Sequence, residues 1–116
     1  MKYGTNVTII NGNLTREPEV RYRSDGTAEA EFCVAINKPG DKGADGERQQ
    51  DVVTFVDCEA SGKQAQAVGE YLRKGSGVIV EGELKLNQWV DKQTGQKRAK
   101  LIVKAKNVSF LDKSSD

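Results

Sequence analysis

Apolar and polar residues alternate with a period of two in four separate stretches of the chain, and turn-forming residues interrupt each one. The stretches are residues 6–14, 28–37, 52–60 and 77–90. Successive side chains of a β-strand point to opposite faces, so this pattern predicts four strands that each bury one face. A fifth strand-like run covers residues 99–111, and its alternation slips near Val108 in a way that one change of register explains.

The same alternation predicts which side chains enter the core. The predicted inward sets are Ala28, Ala30, Phe32, Val34 and Ile36, then Val52, Thr54, Val56, Cys58 and Ala60, then Val78, Val80, Gly82, Leu84 and Leu86. Gly82 indicates a bulge or a sharp bend in its strand. Phe55 and Trp89 have the opposite parity, so both large rings are predicted to face outward among polar side chains.

One segment, between the third and fourth strands, has helical spacing instead. Its apolar positions are Ala65, Val68 and Leu72. Ser61 is predicted to cap the start of this helix and Gly75 to stop it, while Arg73 and Lys74 suit the negative end of its dipole. Five strands with one helix between the third and fourth are the element order of the OB-fold, a five-stranded Greek-key barrel, so the predicted fold class is mainly all-β.

Length and charge limit what such a domain can do. The 116 residues fit one domain, and 18 Lys and Arg against 17 Asp and Glu give a net charge of +1. A polyanion would therefore be attracted only by a local excess of cations. The chain offers no apolar run that could span a membrane and no signal peptide, so the cytoplasm is the expected compartment.

Catalytic and metal-binding patterns are missing from the sequence. It has no histidine, and Cys33 and Cys58 lie in strand-like segments without CxxC spacing, so we interpret both as reduced packing residues. No GxSxG, Walker A or GxGxxG pattern occurs. The sequence thus predicts a protein that is not an enzyme, and the family resemblance described below implies that it needs no cofactor.

The two outward rings suggest a ligand-binding face. Single-strand binders combine aromatic faces, on which bases stack, with a cationic groove that follows the phosphates. Phe55 and Trp89 would supply the aromatic faces on two strands of one small barrel. The alternative is that both rings pack under a loop or at a subunit contact.

Charge placement favours the same function. Between residues 96 and 110 there are five cations and no acid; the cations are Lys97, Arg98, Lys100, Lys104 and Lys106. Taken alone, such a run is typical of a solvated strand face. Acids gather in the long connection at residues 38–51, which we expect to be functional or mobile, and at Glu29 and Glu31. The cationic surface therefore need not be neutralised locally.

The residues also resemble a known family. NGNLTREPEVRY (11–22), AEAEFCVAIN (28–37), ASGKQAQAVGEYLRKGSGVIVEGEL (60–84) and QWVDKQTGQKR (88–98) are similar, in order and spacing, to the DNA-binding domain of bacterial single-stranded DNA-binding proteins. The resemblance implies an OB-fold, usually a homotetramer, that protects single-stranded DNA during replication, recombination and repair, in association with the nucleoid. It also implies that bases stack on Phe55 and Trp89. The candidate phosphate contacts, from the family and the basic strand together, are Arg21, Lys63, Arg73, Lys74, Lys85, Lys97, Arg98 and Lys100.

Three departures from the family pattern qualify this interpretation. Aromatic residues that relatives often carry are replaced by residues 37–40 and by Ser61, so we expect weaker binding per nucleotide and steep salt dependence. Relatives continue to an acidic tip that recruits replication and repair proteins, whereas this chain stops at LDKSSD. We therefore divide it into an OB-fold domain, 1–111, and a short tail remnant, 112–116. A tail-less paralogue acting as a primosome or protein-interaction module, or an RNA binder, remains the alternative.

Assembly is indicated by the first strand. Val7 and Ile9 have one parity, and Ile10 and Leu14 the other. Apolar residues on both faces favour pairing with another subunit, unless the helix or the barrel covers both. A tetramer is implied by the resemblance alone, and a dimer is the alternative.

Overall fold

The computed structural model describes residues 1–111, so the predicted tail remnant at 112–116 lies outside the described residues. The elements, in chain order, are β1 (Thr8–Leu14), β2 (Glu19–Tyr22), β3 (Ala28–Lys38), β4 (Val52–Ser61), α1 (Lys63–Tyr71), β5 (Gly77–Val90) and β6 (Lys97–Phe110). Five of these strands are the predicted ones, and the helix follows the third of them. The short strand β2 was not predicted; it pairs with one edge of β3.

The five longer strands close into a barrel. β5 pairs with β1 on one side and with β6 on the other, and β6 pairs in parallel with β4, which pairs with β3. The ring closes where β1 meets β3, through Asn13 opposite Ala35 and Leu14 opposite Val34. This arrangement confirms the predicted OB-fold.

The core lies inside the barrel and under α1. It consists of Leu14, Ala28, Ala30, Phe32, Val34, Cys58, Ala60, Ala65, Val68, Leu72, Val78, Val80, Val103, Ala105 and Val108. The three apolar helix positions predicted from the sequence are thus buried, because α1 lays one face across the barrel. Cys33 and Cys58 are both buried and free, as predicted, and burial raises the pKa of Cys58 to about 12.

The ends of α1 differ from the prediction. Ser61 does not cap the helix; Gly62 occupies the N-cap position with a φ of 66°, and no side chain bonds there. A positive φ is readily adopted only by glycine, which explains why the chain turns at this residue. The helix ends at Tyr71, before Gly75, yet Arg73 donates from Nη1 to the carbonyl oxygens of Gly69 at 3.1 Å and Leu72 at 2.7 Å. Arg73 therefore stabilises the negative helix end as predicted.

The predicted irregularity at Gly82 is present. The register of β5 with β6 shifts between Glu81 and Gly82, whose partners are Asn107 and Ala105, so Lys106 is the extra residue of a bulge. This is the slip that the sequence indicated near Val108. A Cβ on Gly82 would lie 2.0 Å from the carbonyl oxygen of Lys104, so the close backbone approach requires glycine.

Part of the predicted inward set lies outside the core. Leu84 and Leu86 have the predicted parity but are 43% and 53% exposed, and Val52 and Thr54 are exposed as well. Leu84 and Leu86 lie beyond Gly82, where the pairing of β5 with β1 ends, and Val52 and Thr54 lie at the start of β4. The β5–β6 hairpin turns at residues 91–96, between the end of β5 and the start of β6. Residues 39–51 form a smaller hairpin closed by a bridge between Lys42 and Arg48.

Candidate nucleic-acid interface

Phe55 and Trp89 both lie at the surface. Phe55 is 67% exposed in the first half of β4, and Trp89 is 48% exposed near the end of β5. Alternation places them there, since buried Cys58 and Val80 have the opposite parity on the same two strands. Neither ring is sealed inside the barrel, and the binding role assigned to both stays a prediction.

A cavity of about 180 Å³ connects the two strands on this side of the barrel. Trp89 and Asn87 of β5 line it together with Asp57 and Glu59 of β4 and Lys100 of β6. Phe55 lies on the same face of β4 as Asp57, two residues earlier and therefore about 7 Å away along the strand. We call the surface formed by Phe55, Asp57, Glu59, Lys85, Asn87, Trp89 and Lys100 the aromatic face.

The carboxylates of the aromatic face are held by lysines. Lys85 donates to Glu59 Oε1 at 2.9 Å, Lys104 Nζ lies 3.7 Å from the same oxygen, and Lys100 pairs with Asp57. The hydrogen bond from Lys100 holds the pKa of Asp57 below its usual value, although burial opposes it. For Glu59, burial raises the pKa, but the hydrogen bond from Lys85 and the charges of Lys85 and Lys104 outweigh it, so its pKa is also lowered. Both acids are therefore ionised at neutral pH.

Three more of the predicted phosphate contacts also have acidic neighbours. Arg21 pairs with Glu31 at 2.5 Å, Arg73 with Glu17 at 3.8 Å, and Arg98 with Asp91 at 3.5 Å. Within residues 1–111, no carboxylate lies within ion-pair distance of Lys63, Lys74 or Lys97. The expectation that the cationic surface need not be neutralised locally thus does not hold for five of the eight predicted cations. Acids on neighbouring strands pair with three of them, and Glu17 and Asp91, which lie outside the strands, pair with Arg73 and Arg98.

The structure divides the predicted cations among several places. Lys85 and Lys100 belong to the aromatic face, and Lys97 and Arg98 line a second cavity with Trp89, of about 390 Å³, near the hairpin tip. Arg73 and Lys74 line a third cavity, of about 690 Å³, beyond the end of α1. Arg21 lies on β2, and Lys63 begins α1. Only the first two groups adjoin Trp89.

Sequence reasoning assigned no role to the two acids beside the rings. Asp57 and Glu59 share the outward parity of Phe55, so the alternation already placed all three on one face. Their pairing with lysines depends on the parallel contact of β4 with β6, where Cys58 lies opposite Val103. Ser61 also joins this network, because it accepts a hydrogen bond from Lys104 Nζ at 2.6 Å.

A closed five-stranded barrel with one packed helix and exposed rings beside cations defines an OB-fold of the kind that binds nucleic acids or sugars. Residues 5–111 match the single-strand binding protein family, and the chain belongs to that family.

Relatives support the assignment. The chain is 44% identical to a single-stranded DNA-binding protein of Wolinella succinogenes over 107 residues, 92% of this chain and 64% of the relative. It is 40% identical to one from Helicobacter hepaticus over 107 residues, 92% of this chain and 61% of the relative. The chain thus spans less than two thirds of either relative. Both bear names of DNA-binding proteins and not of enzymes, which agrees with the non-enzymatic interpretation.

A solved structure agrees with the fold. A deletion mutant of the single-stranded DNA binding protein from Thermus aquaticus superposes with a TM-score of 0.80 and 28% identity, over 97% of this chain and 53% of that chain. Among residues 1–111, no helix is long and apolar enough to cross a membrane. The same residues contain no cluster of three or more acids and cysteines that could hold a metal ion.

Proposed function

We propose that this chain binds single-stranded DNA without strong sequence preference. The observation that carries the proposal is the exposure of both Phe55 and Trp89 on the aromatic face, where Trp89 lines a cavity together with Lys100. Every base has a π-face, so stacking on these rings needs no particular sequence. In duplex DNA the bases are stacked on one another, so only unpaired bases can lie against both rings.

Phosphates would be bound by cations at the edges of the aromatic face. Lys97 and Arg98 lie beside Trp89, and Lys97 has no carboxylate within ion-pair distance among the described residues. When these cations neutralise a phosphate, counterions are released from the DNA, which favours binding at low salt. Lys63, Arg73, Lys74 and Arg21 are proposed as more distant phosphate contacts along the strand path.

The experiment is a titration with oligo-dT, followed by the fluorescence of Trp89, which is the single tryptophan of the chain. A base stacked on the indole quenches its emission, so quenching that saturates supports the proposal. Absence of quenching together with absence of binding at low salt would reject it. Matched RNA oligomers in competition would identify an RNA binder, since stacking alone does not distinguish the sugar.

Assembly into a homotetramer, or at least a dimer, is part of the proposal. Val7 and Ile9 are 72% and 65% exposed, so the two-sided burial expected for the first strand is not provided by this chain alone. From Thr8 to Gly12, β1 pairs only with β5, and its other edge is free among the described residues. An apolar, unpaired edge favours pairing with a second copy.

The wider roles are also proposals, because the chain spans less than two thirds of the relatives named above. We propose that it protects single strands during replication, recombination and repair in the cytoplasm of a bacterium. Recruitment of replication and repair proteins would require an acidic tail in the full-length protein.

A further inference from the structure

The acids of the aromatic face occupy the lysines that a DNA phosphate would need. Lys100 is paired with Asp57, and Lys85 and Lys104 both lie within ion-pair distance of one oxygen of Glu59. The side chains of Asp57 and Glu59 are only 31% and 20% exposed, so these pairs are less screened by water than ordinary surface pairs. A DNA phosphate that binds Lys85 or Lys100 would therefore have to displace the paired carboxylate or lie close to its negative charge.

We infer that Asp57 and Glu59 compete with DNA phosphates for the lysines of the aromatic face, and so limit the electrostatic share of binding there. This inference rests on the proposed function. Stacking on Phe55 and Trp89 would then carry most of the affinity at this surface, and phosphates would be bound mainly outside it. The two acids are determinants of affinity and salt dependence that touch the lysines directly.

The inference changes the expectation drawn from the sequence. The two missing aromatic residues predicted a steep salt dependence, because contacts to the DNA phosphates would then supply a larger share of the affinity. Each phosphate neutralised on a single strand contributes about 0.7 to the slope of log K against log salt. Lysines held by internal carboxylates neutralise fewer phosphates, so the wild-type slope is shallower than its cation count suggests.

The test uses Asp57→Asn and Glu59→Gln, which keep side-chain shape and remove the charge. Binding of an oligo-dT of about 16 nucleotides, the upper site size of one OB-fold, is measured over a range of salt concentrations. Each variant should bind at least about threefold more tightly at low salt, the effect of removing one negative charge about 6 Å from a phosphate even when bulk water separates the two. The slope should steepen by about 0.7 for each lysine that gains a phosphate.

Glu70→Gln is the matched control. It makes the same change in net charge on the exposed side of α1, and Glu70 has no ion-pair partner among the described residues. Affinity and slope should stay at the wild-type values for this variant. An equal gain for Glu70→Gln would mean that net charge alone is responsible, which overturns the inference.

A double-mutant cycle with Lys100→Met separates competition from misfolding. Lys100→Met should cost more affinity in the Asp57→Asn background than in the wild type, because only there is the lysine available to phosphate. Equal losses of affinity in both backgrounds would overturn the inference. So would wild-type affinity for both Asp57→Asn and Glu59→Gln. If the wild-type titration saturates, either result leaves the proposed function intact. Failure of the wild type to bind oligo-dT would reject both.

Discussion

Replacement of Phe55 by alanine tests the stacking role with little disturbance of the fold. Phe55 is 67% exposed, so about a third of its side chain is covered. An aromatic side chain has about 200 Å² of surface, and about 25 cal/mol per Å² for the covered third gives an upper limit near 1.6 kcal/mol for the loss of stability. Loss of a stacked base should cost about 1–3 kcal/mol of binding, or about 5-fold to 160-fold in Kd.

Tyr22→Ala is the matched control, since Tyr22 is also 67% exposed. It lies on β2 and lines a groove with Gln66 and Glu70 of α1, away from the aromatic face. The two variants should therefore lose similar stability in urea unfolding, while Phe55→Ala alone should lose affinity for oligo-dT. Trp89 fluorescence remains available as the signal in both proteins.

Two results would refute the reasoning. One is an affinity of Phe55→Ala equal to that of the wild type at low salt. This result would mean that no base stacks on the ring, since its removal would cost no binding free energy. The other is an equal loss for Tyr22→Ala, which would show that the effect arises from the fold and not from the position of the ring.

The remaining predictions concern the bulge, pH and assembly. Gly82→Ala should lower the free energy of unfolding by about 2–4 kcal/mol in urea melts, because its Cβ would lie 2.0 Å from the Lys104 carbonyl oxygen; wild-type stability would contradict this. The pKa of Asp57 is lower in the folded protein, so its pair with Lys100 stabilises the fold above the unfolded pKa of about 4 and is lost as pH falls through the folded pKa. Wild type should therefore lose its stability advantage over Asp57→Asn below about pH 4, and a constant difference down to about pH 2 would contradict this. Ile9→Lys should reduce the mass measured by light scattering, since it places a charge on the free edge of β1, and an unchanged mass would exclude that edge as the contact.

Periodicity predicted the five barrel strands because each buries one face over many residues. β2 was missed because it spans only four residues, Glu19–Tyr22, with one partly buried side chain, Val20. The helix was found from its buried spacing, but its N-cap was assigned to Ser61 because cap residue type is a weaker signal than backbone conformation. Gly62 is the N-cap residue because its backbone adopts a positive φ, and backbone conformation cannot be seen in the sequence.

Parity and burial are separate properties, and the sequence supplied only the first. Leu84 and Leu86 follow Val80 with the correct alternation, yet β1 pairs with β5 only as far as Gly82, before either leucine. Where a barrel ends depends on which strands cover one another. The ion pairs of Asp57 and Glu59 escaped prediction for the same reason, since they join β4 to lysines of β5 and β6 across the closed barrel.

The order of side chains along β4 determines which part of a bound strand can face each position. Phe55, Asp57 and Glu59 follow one another at about 7 Å, so a nucleic-acid strand that runs along β4 passes over them in that order. A base on Phe55 would therefore place its neighbour over the Asp57–Lys100 pair. Asp57 already neutralises Lys100 in that pair, so a phosphate there would meet no net positive charge. The strand should thus turn bases toward this row, so that phosphates run along its border, where Lys97 has no acidic partner among the residues that the structure describes.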